Sequence, residues 1–530
     1  MVVCPVFAET PGNCGTIVIP TGLGVTSSAD VTSLNPLLGN SLYNVQAASL
    51  MYLGLIWIDG ADNQIDWRRS LASAITTQDN GTTYDVTLRP WHWSDGAPVT
   101  TADVAYTFRL IRQLGTTYSQ YGAGGMPDII KSLDIISPTR FQVVLKRQVN
   151  PTWFIYNGLS QLSPLPEHSW GRYTLVQIWQ NQSTPAFFNV VDGPMFARRL
   201  DIGLDLILTP NPAYEGPKLH FNRLVFKFLE SDGAALQGVE SGDLDMATAP
   251  HALWNAIQHL PGIDLVTLPP SQSYNEIQLN LKNPKVEFFK DERVRQAIQD
   301  SINQPEIIKL VGHGLGVAVY GPVPPMPPTF LSPEMRAGHY PVGYNPAQAR
   351  ALLAEAGYTP GPGGIMQKDG KKLSFTYLMP TGDAAAAQMT EMIQDYLAKT
   401  GIQMKVREIE FNQLLALLNN PKADWQAAGL GETMSGYPTG EDLFGTHSFA
   451  NAGGYSDPEM DRLIAESTDK PGLDGLFAYE NYASAQQPVI FLETGQATML
   501  VRSRIQGARQ FVDSFGQYYP DALSCAAASP

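Results

Sequence analysis

Leu373-Ser374-Phe375-Thr376-Tyr377-Leu378, then Ala384 to Thr400, then Gly401, then Ile402-Gln403-Met404-Lys405-Val406 read as an apolar strand, a long helix, a stop and a second strand. A crossover of that length returns the chain parallel to itself, so this stretch predicts a parallel α/β sheet. Just upstream, Asn345 is placed to cap a helix with Pro346 in its first turn. Ala349 to Ala356 supply strong helix formers, and Gly357 stops the helix. Earlier still, Val294, Ala297, Ile298, Ser301 and Ile302 recur at helical spacing. Downstream, Pro488-Val489-Ile490-Phe491-Leu492 reads as a buried strand, late enough to return to a sheet begun near the N-terminus.

A second α/β pattern lies nearer the start. Leu204 to Leu208 is a strand that runs into the turn-rich Thr209 to Pro217. Leu224 to Phe228 is the next strand, and Ala234 to Val239 is a short helix stopped by Ser241-Gly242. Residues 16–110 read as short strands around turns, with clear alternation in Thr83-Tyr84-Asp85-Val86-Thr87-Leu88. Thr100 and Asp103 have capping-box spacing ahead of the apolar face Val104, Phe108 and Ile111.

At 530 residues the chain is too long for one core and predicts three or four structural units. With 44% hydrophobic and 10% aromatic residues it is globular. A net charge of −15 disfavours nucleic acid and anionic membranes as partners. Val31 to Ile58 is uncharged but too polar and interrupted to span a bilayer, so the protein is not expected to be membrane-spanning. Met1 to Gly15 lacks the pattern of a signal peptide, and any export signal is expected to have been removed. Cys4, Cys14 and Cys525 sit at the chain ends; one bridge between the ends or inert thiols are both open readings.

No metal-ligand spacing occurs among the eight histidines, and no nucleophile elbow or phosphate loop is present, so neither a metal nor a cofactor is expected. Gly312-His313-Gly314-Leu315-Gly316 reads as a turn after a helix. Carboxylates abound, but nothing in their spacing demands an enzyme. Trp91, Trp93, Trp153, Trp254, Trp425 and Tyr437 need either core or ligand to cover them, core being the commoner answer.

A long series of turn motifs follows in order. It begins with Ser33-Leu34-Asn35-Pro36, Trp93-Ser94-Asp95-Gly96-Ala97-Pro98, Pro166-Glu167-His168, Asp192-Gly193-Pro194 and Asn211-Pro212-Ala213-Tyr214-Glu215-Gly216. Ser241-Gly242-Asp243-Leu244-Asp245, Asp291-Glu292-Arg293-Val294-Arg295-Gln296-Ala297, Gly321-Pro322-Val323-Pro324, Tyr344-Asn345-Pro346, Tyr455-Ser456-Asp457-Pro458 and Pro488-Val489-Ile490 complete it. In this order, from Ser33 to Ile490, the chain resembles the family 5 extracellular solute-binding proteins of ABC importers, the dipeptide, oligopeptide and nickel-binding group.

The resemblance implies a periplasmic-binding-protein-like α/β fold: two α/β lobes joined by a two-crossing hinge, with an extra β-rich domain inserted in the first lobe. Residues 1–50, 183–272 and 490–530 would form lobe I, 51–182 the inserted domain II, and 273–489 lobe III. The crossings would lie near Ser273 to Leu281 and Pro488 to Thr494. This would bring Cys525 into one domain with Cys4 and Cys14, making a bridge plausible.

The family's ligand lies between domains I and III, where hinge motion closes over it. The matching positions are Leu38 and Asn40; Tyr274, Asn275 and Glu276; Met379 and Thr381; Trp425, Gly429, Leu430, Gly431, Glu432 and Met434; and Phe491 and Glu493. Peptide binders of the family carry an aspartate after a Gly-Trp in the loop matching Gly429 to Met434, and it pairs with the peptide's ammonium. Here Leu430 replaces the tryptophan and Thr433 falls at the aspartate. The resemblance thus implies an extracytoplasmic, periplasmic and monomeric receptor serving an ABC permease, without enzymatic activity. Its ligand would be a peptide or another small uncharged metabolite such as a glycoside or aromatic compound. The alternatives are a sensory binding protein that presents its ligand to a chemoreceptor, and a carboxylate-dependent glycoside hydrolase.

Overall fold

Asp383 caps the long helix by accepting from the amides of Ala385 and Ala386, and the helix runs Ala384–Lys399 before Gly401 turns the chain at φ +89°. The flanking strands Ser374–Pro380 and Gln403–Ile409 pair in parallel, as the sequence pattern predicts. The computed structural model describes residues 12–525, apart from 25–29, 39–40, 230, 382, 421, 447 and 449. The chain divides into two units, 1–269 with 497–530, and 270–496.

In the second unit five strands lie in the order Gln403–Ile409, Ser374–Pro380, Ala427–Thr433, Ser273–Leu279 and Ile490–Leu492. The first three are parallel, and Ser273–Leu279 pairs antiparallel with both of its neighbours. The late strand Ile490–Leu492 therefore stays in this sheet and does not return to one begun near the N-terminus. Both segments expected to cross between lobes, around 273–281 and 488–494, are strands of this unit's own sheet. Their pairing with each other is what holds them there, and the chain passes between units at 269/270 and 496/497. The apolar face of Glu292–Ser301 packs on the helix Pro346–Glu355, which Asn345 caps through the amide of Gln348.

Among the described residues the first unit holds three sheets of three or four strands, besides two short two-stranded ladders. Thr16–Pro20 pairs in parallel with Arg223–Lys227, followed antiparallel by Asp205–Pro210 and Met195–Asp201. Ala72–Thr77, Thr83–Leu88, Arg140–Leu145 and Ile130–Ser137 form an antiparallel sheet. Thr101–Leu114 packs on its last strand, with the Thr100 and Asp103 capping box formed. The strand that does return from the C-terminal end is Thr498–Arg502, inserted between Met246–Thr248 and Ile263–Thr267. Cys14 and Cys525 are disulfide-bonded, with Cα atoms 5.1 Å apart, and Cys4 lies outside the described residues. Among the described residues no helix is long and apolar enough to cross a membrane.

Candidate functional site

The strand Ser273–Leu279 is central to its sheet because Tyr274, Ile277 and Leu279 bury their side chains almost completely. Its register sets Tyr274 opposite Glu432, Asn275 opposite Gly431, and Glu276 opposite both Leu430 and Phe491. Residues directly opposite share a face, and neighbours along a strand alternate. One face thus carries Tyr274, Glu276, Leu430, Glu432 and Phe491; the other carries Asn275, Gly429 and Gly431. Tyr274 meets Phe491 edge to face at 5.2 Å. Asn275 donates from its main-chain amide and its side chain to the carbonyl of Glu493, at 3.3 and 3.1 Å.

The strand Ala427–Thr433 is paired on one side along its whole length but on the other only at Ala427 and Ala428, opposite Tyr377 and Leu378. Beyond Gly429, where a Cβ would collide with the Tyr377 hydroxyl, it leaves its neighbour. Among the described residues no other strand or loop backbone bonds the far edge of 430–433. Gly431 and Thr433 are exposed, and Leu430 and Glu432 half-buried. This is a short open strand edge with little side-chain cover.

The face with Tyr274 is acidic. Burial and then the neighbouring Glu432 push the Glu276 carboxyl well above its usual range. Burial, with Asp442 adding to it, raises Glu432 to about 7. Burial also raises Asp442, and it raises Glu493 to about 7. Among the described residues no three His, Cys, Asp or Glu side chains are grouped to hold a metal ion.

The structure brings together Tyr274, Asn275, Gly429, Leu430, Gly431, Glu432, Phe491 and Glu493. Met434 adjoins them, its amide bonded to the carbonyl of Gln272, and is buried. Met379 is buried on Ser374–Pro380, and exposed Thr381 donates its amide to Ile409. Trp425 lies apart from the open edge: its ring fills a core cluster with Leu378, Leu414, Leu418 and Ala428. Trp91, Trp93, Trp153 and Tyr437 are buried too, and Trp254 packs half-buried against a core cluster of the first unit. Leu38, in the first unit, is buried in the turn Pro36–Leu38, and Asn40 lies outside the described residues. Asp442 and Tyr377 went unsingled in the sequence because each reaches the site from another segment, with no local periodicity to mark it.

The family described as bacterial extracellular solute-binding proteins, family 5, matches residues 67–452. The oligopeptide-binding protein AppA of Bacillus subtilis is 27% identical over 447 residues, covering 82% of this chain and 78% of that protein. The solved structure of AppA from Bacillus subtilis in complex with a nonapeptide superposes with a TM-score of 0.75 at 24% identity, covering 98% and 100% of the two chains. NikZ from Campylobacter jejuni in complex with Ni(L-His) gives 0.76 at 20% identity, covering 96% and 97%.

Proposed function

Because this chain belongs to the bacterial extracellular solute-binding proteins of family 5, we propose that it is an extracytoplasmic, periplasmic receptor that captures a peptide-like solute and delivers it to the permease of an ABC-type importer. It acts as a monomer and catalyses nothing in this reading. The open edge at 430–433 carries the assignment of solute. An extended backbone laid against such an edge supplies the missing strand partner, and main-chain hydrogen bonds then give affinity that is tolerant of side-chain identity. Gly431 lets the added backbone approach closely. AppA, the relative with an oligopeptide-binding name, supports the same class of solute.

The solute need not bring a free ammonium. Thr433 stands where peptide binders of the family carry their aspartate, and Glu432 lies on the opposite face of its strand, beside Tyr274. Peptides with blocked and free N-termini therefore bind with similar affinity. Titrating both kinds into the protein, read by calorimetry, tests this; a strong preference for the free amine would remove the argument from Thr433. Peptides N-methylated at alternate residues distinguish the binding mode. They lose affinity if strand addition holds, and unchanged binding would overturn it.

A further inference from the structure

Past the Leu279 end of the strand Ser273–Leu279 the second unit has an open cavity of about 810 Å³, with Leu281, Glu292, Arg295, Tyr455 and Asp457 in its wall. The open edge at 430–433 lies at the strand's other end, since Ser273 pairs with Thr433 and Leu279 with Ala427. Seven residues of strand, about 20 Å, separate the two places. Arg295 is 3% exposed and, among the described residues, has no carboxylate partner. Its Nε donates to the carbonyls of Gln486 and Gln487 and its Nη1 to those of Phe289 and Lys290, which leaves Nη2 without a hydrogen bond. The Tyr455 ring, 5% exposed, stacks on the guanidinium at 5.7 Å, and its hydroxyl also lacks a partner. That hydroxyl feels the charges of Asp457, Arg295 and Glu292, all of which line the cavity.

We propose that this cavity binds a small zwitterion with the chemistry of a free α-amino acid, its carboxylate received by Arg295 Nη2 and the Tyr455 hydroxyl and its ammonium by Glu292 and Asp457. Four carbonyls and one ring clamp the guanidinium, so its remaining N–H group is fixed in place, and a buried cation without a counter-charge favours an anionic acceptor. An anion alone suits the wall poorly, because acids stand beside that group. Exposed Glu292 makes no side-chain hydrogen bond or ion pair among the described residues. Asp457 caps the helix Pro458–Asp469 with Oδ1, and its Oδ2 accepts from the Tyr482 hydroxyl at 3.2 Å, with a lone pair to spare. The other charges of the wall are already matched: Asp291 holds Arg293 through Nε and Nη2, at 2.9 and 2.6 Å, and Lys290 bonds Glu287. One positive and two negative groups thus remain for a ligand that brings both signs, and the volume is that of a small-molecule site. This site does not depend on the solute reading above.

The test is saturation-transfer NMR at pH 7 with L-alanine, L-leucine, acetate and methylammonium, each titrated into the whole protein. At least one of the two amino acids is expected to bind about five-fold or more tighter than acetate and than methylammonium, which carry only one of the two charges. Tyr455→Phe, which keeps the ring, and Glu292→Gln, at an exposed position, should each weaken that binding by about five-fold or more. No transfer to either amino acid would mean a cavity holding water only and overturn the proposal. Acetate or methylammonium binding as well as the amino acids would overturn it too. Undiminished amino-acid binding in either variant would place the ligand elsewhere, the open edge included, and has the same consequence. Should Tyr455→Phe not fold, Glu292→Gln alone decides. Neither altered residue belongs to the open edge, so a failure of strand addition leaves this outcome untouched.

Discussion

Arg504 grips a single oxygen of Asp245, with Nε at 2.9 Å and Nη2 at 2.7 Å, while the other Asp245 oxygen accepts from the amide of Val18 at 2.8 Å. Arg504 also donates to the carbonyls of Thr16 and Cys14. One ion pair thus ties the first strand, the segment after the helix Asp232–Ser241 and the C-terminal return together. Asp245 is nearly buried and Arg504 about a quarter exposed.

Asp245→Ala should cost about 3 kcal/mol, because it leaves a partly buried cation and the Val18 amide without their acceptor. Replacing both partners with apolar residues should cost less than the single change. Chemical denaturation of the three variants checks the ordering.

Breaking the bond between Cys14 and Cys525 acts on the same corner. It closes almost the whole chain into a loop, so its main effect is on the unfolded ensemble. Cys14→Ser, or reductant, should lower stability by about 2–4 kcal/mol. A melting curve with and without reductant measures it, and the variant itself should not respond to reductant.

Gly429→Ala puts a methyl group into the Tyr377 hydroxyl, and Tyr377 is buried and cannot swing aside. Overpacking of this kind costs about 1–3 kcal/mol, and it shifts the strand that carries the open edge, so peptide affinity should fall as well. Adding Tyr377→Phe removes the nearest atom of the clash and should recover part of both losses, as read by melting and calorimetry.

Stability should fall as pH rises from 5 to 8.5. Burial raises Glu480 to about 8, with the neighbouring Glu334 adding to it, and Glu432 and Glu493 to about 7, against 4.5 for the ordinary side chain. Asp300 and Asp513 rise to about 6 by burial. The folded chain therefore holds more protons than the unfolded one across this window. The stabilisation is complete below about 4.5 and is lost as pH passes the raised values. Melting temperatures at the two pH values give the slope, and Glu480→Gln should flatten its upper end.

The turns and caps of this fold were legible because they are local. Asn345 and the Thr100–Asp103 pair each act within four residues of chain, and the structure has both caps. The late strand Ile490–Leu492 was legible as a strand but not as to its partner. An apolar run of that length fits any sheet interior, and the partner is chosen by a segment more than two hundred residues away. Trp425 shows the same limit at the site. A ring beside a loop is covered by core more often than by solute, but only the packing of Phe411–Leu418 over Leu378 places this one in the core.

Sequence by itself determined the α/β class, the family pattern of turns and the substitution of Thr433 for an acid, because caps, breakers and residue identities are properties of neighbouring positions. Tertiary structure decided which of the late strands returns to the first unit, that Cys14 is the partner of Cys525, and that the strand Ala427–Thr433 parts from its neighbour after Ala428. It also decided that Glu432 lies close enough to both Glu276 and Asp442 to feel their charges. Hydrogen-bond partners, burial and the charges that shift a carboxyl are set by distance in space, and residues far apart in the chain carry no mark of how near they will fold.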